Sequence, residues 1–255
     1  MTLHRSHKFM KHTITMVIAI ATLALSCNAT YAATEKVLCV TVDGDLLDTA
    51  EILLTNKGLR VRNRLGFVYW FTDKPTIIFT ANSENHTYFA QPAADYLKDL
   101  REDYPPIKYT RLERKPKTLP DGTKTEMVTA FRSGPKGQEM KVAEVTCLKN
   151  AGVPPTVNRM WCSFLGLPEK DFSLPIGAFQ NASKVWRPEE AFSGGRSRWI
   201  VVTLPKKVER KNMDEKLLKL PSNYKEAKDK ASLYLSSDGN LNQKDLEDFF
   251  ISPKK

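Results

Sequence analysis

"TNKGLRVRNRLGFVYWFTDKPTIIFTANSENHTYFAQP", residues 55–92, is the stretch whose reading decides the fold. Leu59, Val61, Leu65, Phe67, Tyr69 and Phe71 fall on alternate positions, with Arg60, Arg62 and Arg64 between them. A period of two sends successive side chains to opposite faces of a strand, so the pattern predicts a sheet with one apolar and one solvated face. On this reading Leu59, Val61, Phe67 and Tyr69 point inward and the three arginines stay in water. Asn56-Lys57-Gly58, between two apolar runs, reads as a short hairpin whose glycine takes the left-handed position. "TIIFTANSENHTYFA" repeats the idea around a polar tip that carries His86.

The same texture extends outward. "VLCVTVDG" precedes the stretch, and "IKYTRLERKPKTLPDGTKTEMVTAFRS" gives a strand pair around Pro120-Asp121-Gly122. "KVAEVTCL" and "RWIVVTLP" add further strands. Short strands without alternating helices predict an antiparallel meander. "PAADYLKDLREDYP" reads as a helix, with Tyr96, Leu97 and Leu100 at helical spacing and a stop before Pro105. The tail from about residue 222 to 255 also reads as helical. Its "YLSSDGNLNQKDLEDFF" resembles a degenerate calcium loop, but two strong ligand positions hold Tyr234 and Ser236, so a turn and a capped helix are the simpler account. The expected fold is mainly β (α+β): a curved antiparallel sheet or incomplete β-barrel, about nine strands, covered by a few helices.

The first residues carry a separate signal. Arg5, Lys8 and Lys11 precede the uncharged run "TITMVIAIATLALS", and small residues follow, the order of a secretory signal peptide. The run is shorter than the roughly 20 apolar residues of a membrane span. We therefore expect a signal peptide at 1–32, a single domain at 33–255 and no transmembrane segment in the mature chain. "LALSC" also resembles a lipobox, which would put a lipid anchor on Cys27. Both routes imply an exported protein, periplasmic or secreted.

The formal charge of +10 is spread through "RVRNR", "RLERKPK" and "KKVERK" with acids nearby, which fits a solvated face or an anionic membrane surface better than a nucleic-acid stripe. Catalytic groups are sparse. His4, His7 and His12 lie in the leader, leaving His86 as the sole histidine beyond it, which argues against a Ser/His/Asp or Cys/His site and against a metal site. "SGGRS" lacks the context of a phosphate cradle. Asp43, Asp45 and Asp48, like Glu102 and Asp103, read as solvated acids. No cofactor is expected. Cys39 and Cys147 sit in strand-like runs and are candidates for a disulfide, although cysteine is equally at home as a small buried residue.

"AEILLTNKGLRVRN", "KPTIIFTANSENHTYFAQP", "VNRMWCSFLGLP" and "LLKLPSNYKEA" resemble, in order and type, elements of the LolA/LolB-like family of periplasmic lipoprotein carriers and acceptors. In that likeness "VNRMWCSFLGLP" corresponds to a late strand. The resemblance implies an incomplete barrel with a helical lid and an apolar cavity that receives acyl chains. It departs in one respect, since "VLCVTV" follows the leader without the family's amphipathic first helix. Candidate lining residues are Phe67, Tyr69, Phe71, Phe79, Phe89 and Trp161; the alternative is that these rings simply build the core. The expected function is binding of an apolar ligand, lipid or lipoprotein, without catalysis. The competing expectation is docking on an anionic envelope surface through Arg60, Arg62 and Arg64.

Overall fold

The structure is a computed structural model that describes residues 34–103, 105–134, 137–181 and 199–233. Apart from Thr34, these belong to the second of two units, Glu35–Lys255. The leader, Cys27, the segment 182–198 and the calcium-loop-like tail from 234 onward lie outside the described residues.

The first half forms β1 (Thr34–Asp43), β2 (Ala50–Leu54), β3 (Gly58–Asn63), β4 (Gly66–Phe71), β5 (Ile77–Asn82) and β6 (Thr87–Pro92), then α1 (Ala93–Asp103). The second half forms β7 (Arg111–Thr118), β8 (Lys124–Ser133), β9 (Glu139–Leu148), α2 (Pro155–Leu165), β10 (Leu174–Asn181), β11 (Trp199–Asp214) and the short β12 (Lys225–Glu226). All twelve strands of the described residues join one open sheet, ordered β12-β6-β5-β4-β3-β2-β1-β11-β10-β9-β8-β7. The registered pairs are antiparallel except β12 with β6. A mainly β, antiparallel sheet is thus what the alternation foretold.

The orientation of β4 is not. Arg60 pairs with Tyr69, and Arg62 with Phe67, across the β3–β4 ladder. Residues opposite one another share a face. Phe67, Tyr69 and Phe71 therefore stand on the arginine side, while Val68 and Trp70 join Leu59 and Val61 in the main core. The cause is a two-residue loop, Arg64-Leu65, that separates Asn63 from its partner Gly66. An even loop between paired residues makes each opposing pair one odd and one even number, so the inward parity switches at the turn. Asn63 Oδ1 accepts from Leu65 N–H at 3.1 Å, and Gly66 has φ 143°, where a Cβ would strike the Ala81 carbonyl. A side chain at 66 is excluded on both counts.

"VNRMWCSFLGLP" is a helix rather than a late strand. Val157, Met160, Trp161, Phe164 and Leu165 recur at helical spacing and are buried. Pro155 sits at the start, and Gly166, at φ 71°, caps the end with N–H contacts to the Cys162 and Ser163 carbonyls. The indole N–H of Trp161 donates to Pro175 O at 2.6 Å, fixing α2 against β10. Trp161 stacks on Phe164, and Phe164 meets the Tyr96 ring at a tilt, 5.8 Å between centroids, which connects α2 to α1. The space beneath the helices at mid-sheet is thus filled with side chains.

The tail expectation also changes within the described part. Residues 222–233 hold the β12 strand and turns, not a helix. Lys225 N–H bonds the His86 carbonyl and Ala227 N–H that of Tyr88, so the segment docks along β6.

Candidate functional site: a cleft between α1 and β4–β6

Where α2 ends its cover, the sheet and α1 leave a cleft of about 260 Å³. Its walls are Val68 of β4, Phe89 of β6, Tyr96 and Leu100 of α1, and Leu65 and Leu233. Leu65, at the β3–β4 turn, is one of two large apolar residues that stay exposed among those described, at 43%. Leu233 is buried; its carbonyl accepts from the Thr87 hydroxyl at 3.1 Å, which holds the strap 227–233 across the end of β6. Lys230 closes the strap onto α1 through an ion pair with Asp99 at 2.9 Å. Asn63, Thr80 and Gln91 add uncharged polar groups to the lining. The volume lies just under the roughly 300–1,000 Å³ of ordinary small-molecule pockets, and the mixture of apolar wall and few polar groups is typical of them.

Of the candidate lining residues, Phe89 is in the cleft. Phe67 borders it, but its ring lies on the opposite face beside Tyr69, 5.8 Å between centroids. Tyr69, Phe71 and Phe79 continue that row of rings on the opposite face, and Tyr88 ends it. Trp161 is 1% exposed inside the core and lines no cleft. The expectation of these six residues around one cavity is therefore corrected: the parity switch puts Phe67, Tyr69 and Phe71 on the other side, and Phe79, paired with Tyr69, stands there with them. Val68, Tyr96, Leu100 and Gln91 line the cleft without having been among the candidate residues. Tyr96 and Leu100 had a signal in the helical spacing of α1, and Val68 had one in the two-residue loop.

The arginines do not form one solvated patch either. Arg60 is 5% exposed; its Nη1 donates to Leu217 O at 2.8 Å and its Nη2 to Glu51 at 3.1 Å. The guanidinium also lies 5.2 Å from the Phe67 ring centre. Arg64 lies on the turn, 3.9 Å from Asp48. Arg62 alone is exposed on the sheet, 5.7 Å from the same ring.

Cys39 and Cys147 are free thiols, not a disulfide. Cys39 belongs to a small cluster with Val37, Leu53 and Leu218, whereas Cys147 belongs to the main core under the helices. The sheet lies between them. His86, at φ 52° in the β5–β6 turn, contacts the Tyr224 ring edge. Among the described residues no three His, Cys, Asp or Glu side chains gather as metal ligands, and no helix is long and apolar enough to cross a membrane. A second, more open depression of about 540 Å³ lies beside the start of α2, near Asn150, Pro155, Asn158 and Glu169. Glu169 there is already paired with Arg159 at 2.7 Å.

Comparison with protein-family models, with curated proteins and with solved structures gave no match in any of the three. The cleft is read from its own chemistry.

Proposed function

We propose that this protein is an exported, non-enzymatic binder of an apolar ligand, held in the cleft between α1 and β4–β6. The observation that carries the reading is the cleft itself, an opening of about 260 Å³ walled by Val68, Phe89, Tyr96 and Leu100 and edged by the exposed Leu65. Burial of each ligand methylene there is worth about 0.8 kcal/mol, so a short chain suffices for measurable affinity. The leader-like start of the sequence supports export, and the resemblance of "KPTIIFTANSENHTYFAQP" to the LolA/LolB-like carriers supports an acyl chain as the ligand.

A neutral lipophilic dye whose emission rises in apolar surroundings tests this. Wild type brightens the dye, and Leu100→Arg, which puts a charge in the cleft wall, reduces its affinity at least tenfold. Phe71→Ser, on the opposite face, leaves it unchanged. Loss of dye binding in Phe71→Ser but not in Leu100→Arg overturns the assignment to this cleft.

A further inference from the structure

We infer that the cleft selects an apolar chain ending in an uncharged carbonyl linkage, an ester or an amide, over the same chain ending in a carboxylate. The inference rests on the cleft being the ligand site. Gln91 points to it. This residue is 9% exposed, lines the cleft, and its side-chain amide has no hydrogen-bond partner among the described residues. A ligand that fills the cleft strips the water from this amide, so the amide gains where the ligand supplies a partner. It offers two N–H donors and one carbonyl acceptor.

Its neighbours have the same character. Ile78 pairs with Gln91 and Thr80 with Phe89, which puts Thr80 diagonal to Gln91 on one face of the β5–β6 ladder. Thr80 also lines the cleft, and its hydroxyl makes no hydrogen bond to another described residue. Asn63 uses its Oδ1 on the β3–β4 turn, which leaves its N–H₂ for the cleft. Three neutral polar groups thus share a wall with Val68 and Phe89.

Charge decides between ligand heads. The formally charged lining residues are Asp99 and Lys230, and they neutralise each other at 2.9 Å. A carboxylate entering this cleft meets no uncompensated cation among the described lining residues and keeps the cost of its lost hydration. An ester or amide carbonyl accepts from Gln91 or Thr80 without that cost.

The experiment is a calorimetric titration of the full chain at pH 8 with three ligands of one chain length below their micelle concentrations. They are monodecanoylglycerol, an N-decanoyl tripeptide amide and sodium decanoate. The two uncharged linkages bind at least tenfold more tightly than decanoate, and whichever of them is tighter tells a free acylglycerol from an acylated polypeptide. Gln91→Leu brings all three to the decanoate level. If Gln91→Leu melts below wild type, Thr80→Val takes its place and narrows the same gap. Equal affinities, or tighter decanoate, overturn the selection and leave the cleft as a ligand site. Binding by none of the three, with no response in Leu100→Arg, overturns the ligand site as well.

Discussion

Cys39, Cys147 and Cys162 are all free and buried. Burial, and for Cys39 also the Glu51 carboxylate, pushes the Cys39 thiol up to about 11. Burial pushes Cys147 and Cys162 up to about 12. The unfolded chain ionises these groups near 9.0. Above that point the unfolded state gives up protons that the folded state keeps. The stability they contribute is whole below pH 9, declines as pH rises, and is lost once the folded values are passed. The urea midpoint should accordingly hold steady from neutral pH to about 8.5 and fall above 9. Thiol titration of native protein at pH 7.5 should leave these three silent until denaturant is added, and a fast-reacting native thiol among them would refute the packing described. The cysteines also show what one sequence hides: "VLCVT" and "EVTCL" look alike as buried strands, but only the fold says that the two thiols face opposite sides. Arg60 makes the same point. Its alternation with Leu59 and Val61 set its face correctly, yet nothing local announced that Glu51 and residue 217 would bury it.

At the level of elements, α2 does most to decide where a ligand fits. Trp161 is 1% exposed, stacks on Phe164 at 5.5 Å and bonds Pro175 O. Trp161→Ala removes the ring, the bond and the anchor to β10, at a cost of about 3–5 kcal/mol. Chemical denaturation monitored by far-ultraviolet circular dichroism would measure it, and a loss below about 1 kcal/mol would mean that the helix is not held by this residue. The hairpins β2–β3, β5–β6 and β7–β8 were legible because Asn56-Lys57-Gly58, Ser83–His86 and Pro120-Asp121-Gly122 punctuate them. Helix α1 was legible from its spacing and its proline stop. Helix α2 was hidden in plain view: Val157, Met160, Trp161, Phe164 and Leu165 have the right period, but the resemblance set the run down as a late strand. β10 was missed because "LPIGAFQN" is buried on both sides and so shows no alternation.

For the whole molecule, an open sheet leaves edges. β7 is one of them, and its sequence "RLERKPKT" sets Arg111, Glu113, Arg114, Lys115 and Lys117 around Pro116. Charges and a proline on an outer strand discourage pairing with another chain. Replacing Lys115, Pro116 and Lys117 together by Val, Thr and Val should turn a concentration-independent elution profile into one that shifts to larger species as concentration rises. A profile that stays put would show that the edge is guarded by something other than this chemistry. The other end of the sheet is finished differently, by the two-residue β12 and by the strap that Lys230 fastens to Asp99. The overall class was readable because alternation runs through most strands. The cleft was not, since it is assembled from β4, β6, α1 and residue 233, which are brought together only by the order of strands.

The loop Arg64-Leu65 has a consequence for how this chain can change. The pairing of Asn63 with Gly66 sets which side of the sheet each residue from Gly66 to Phe71 takes. Residues added between those two would lengthen the tip and leave the pairing in place. A slip of the β3–β4 register by one residue would instead turn Val68 and Trp70 out to water and drive Phe67 and Tyr69 into the core. The tip is therefore free to vary in length, while the ladder behind it is the reading frame for the cleft wall.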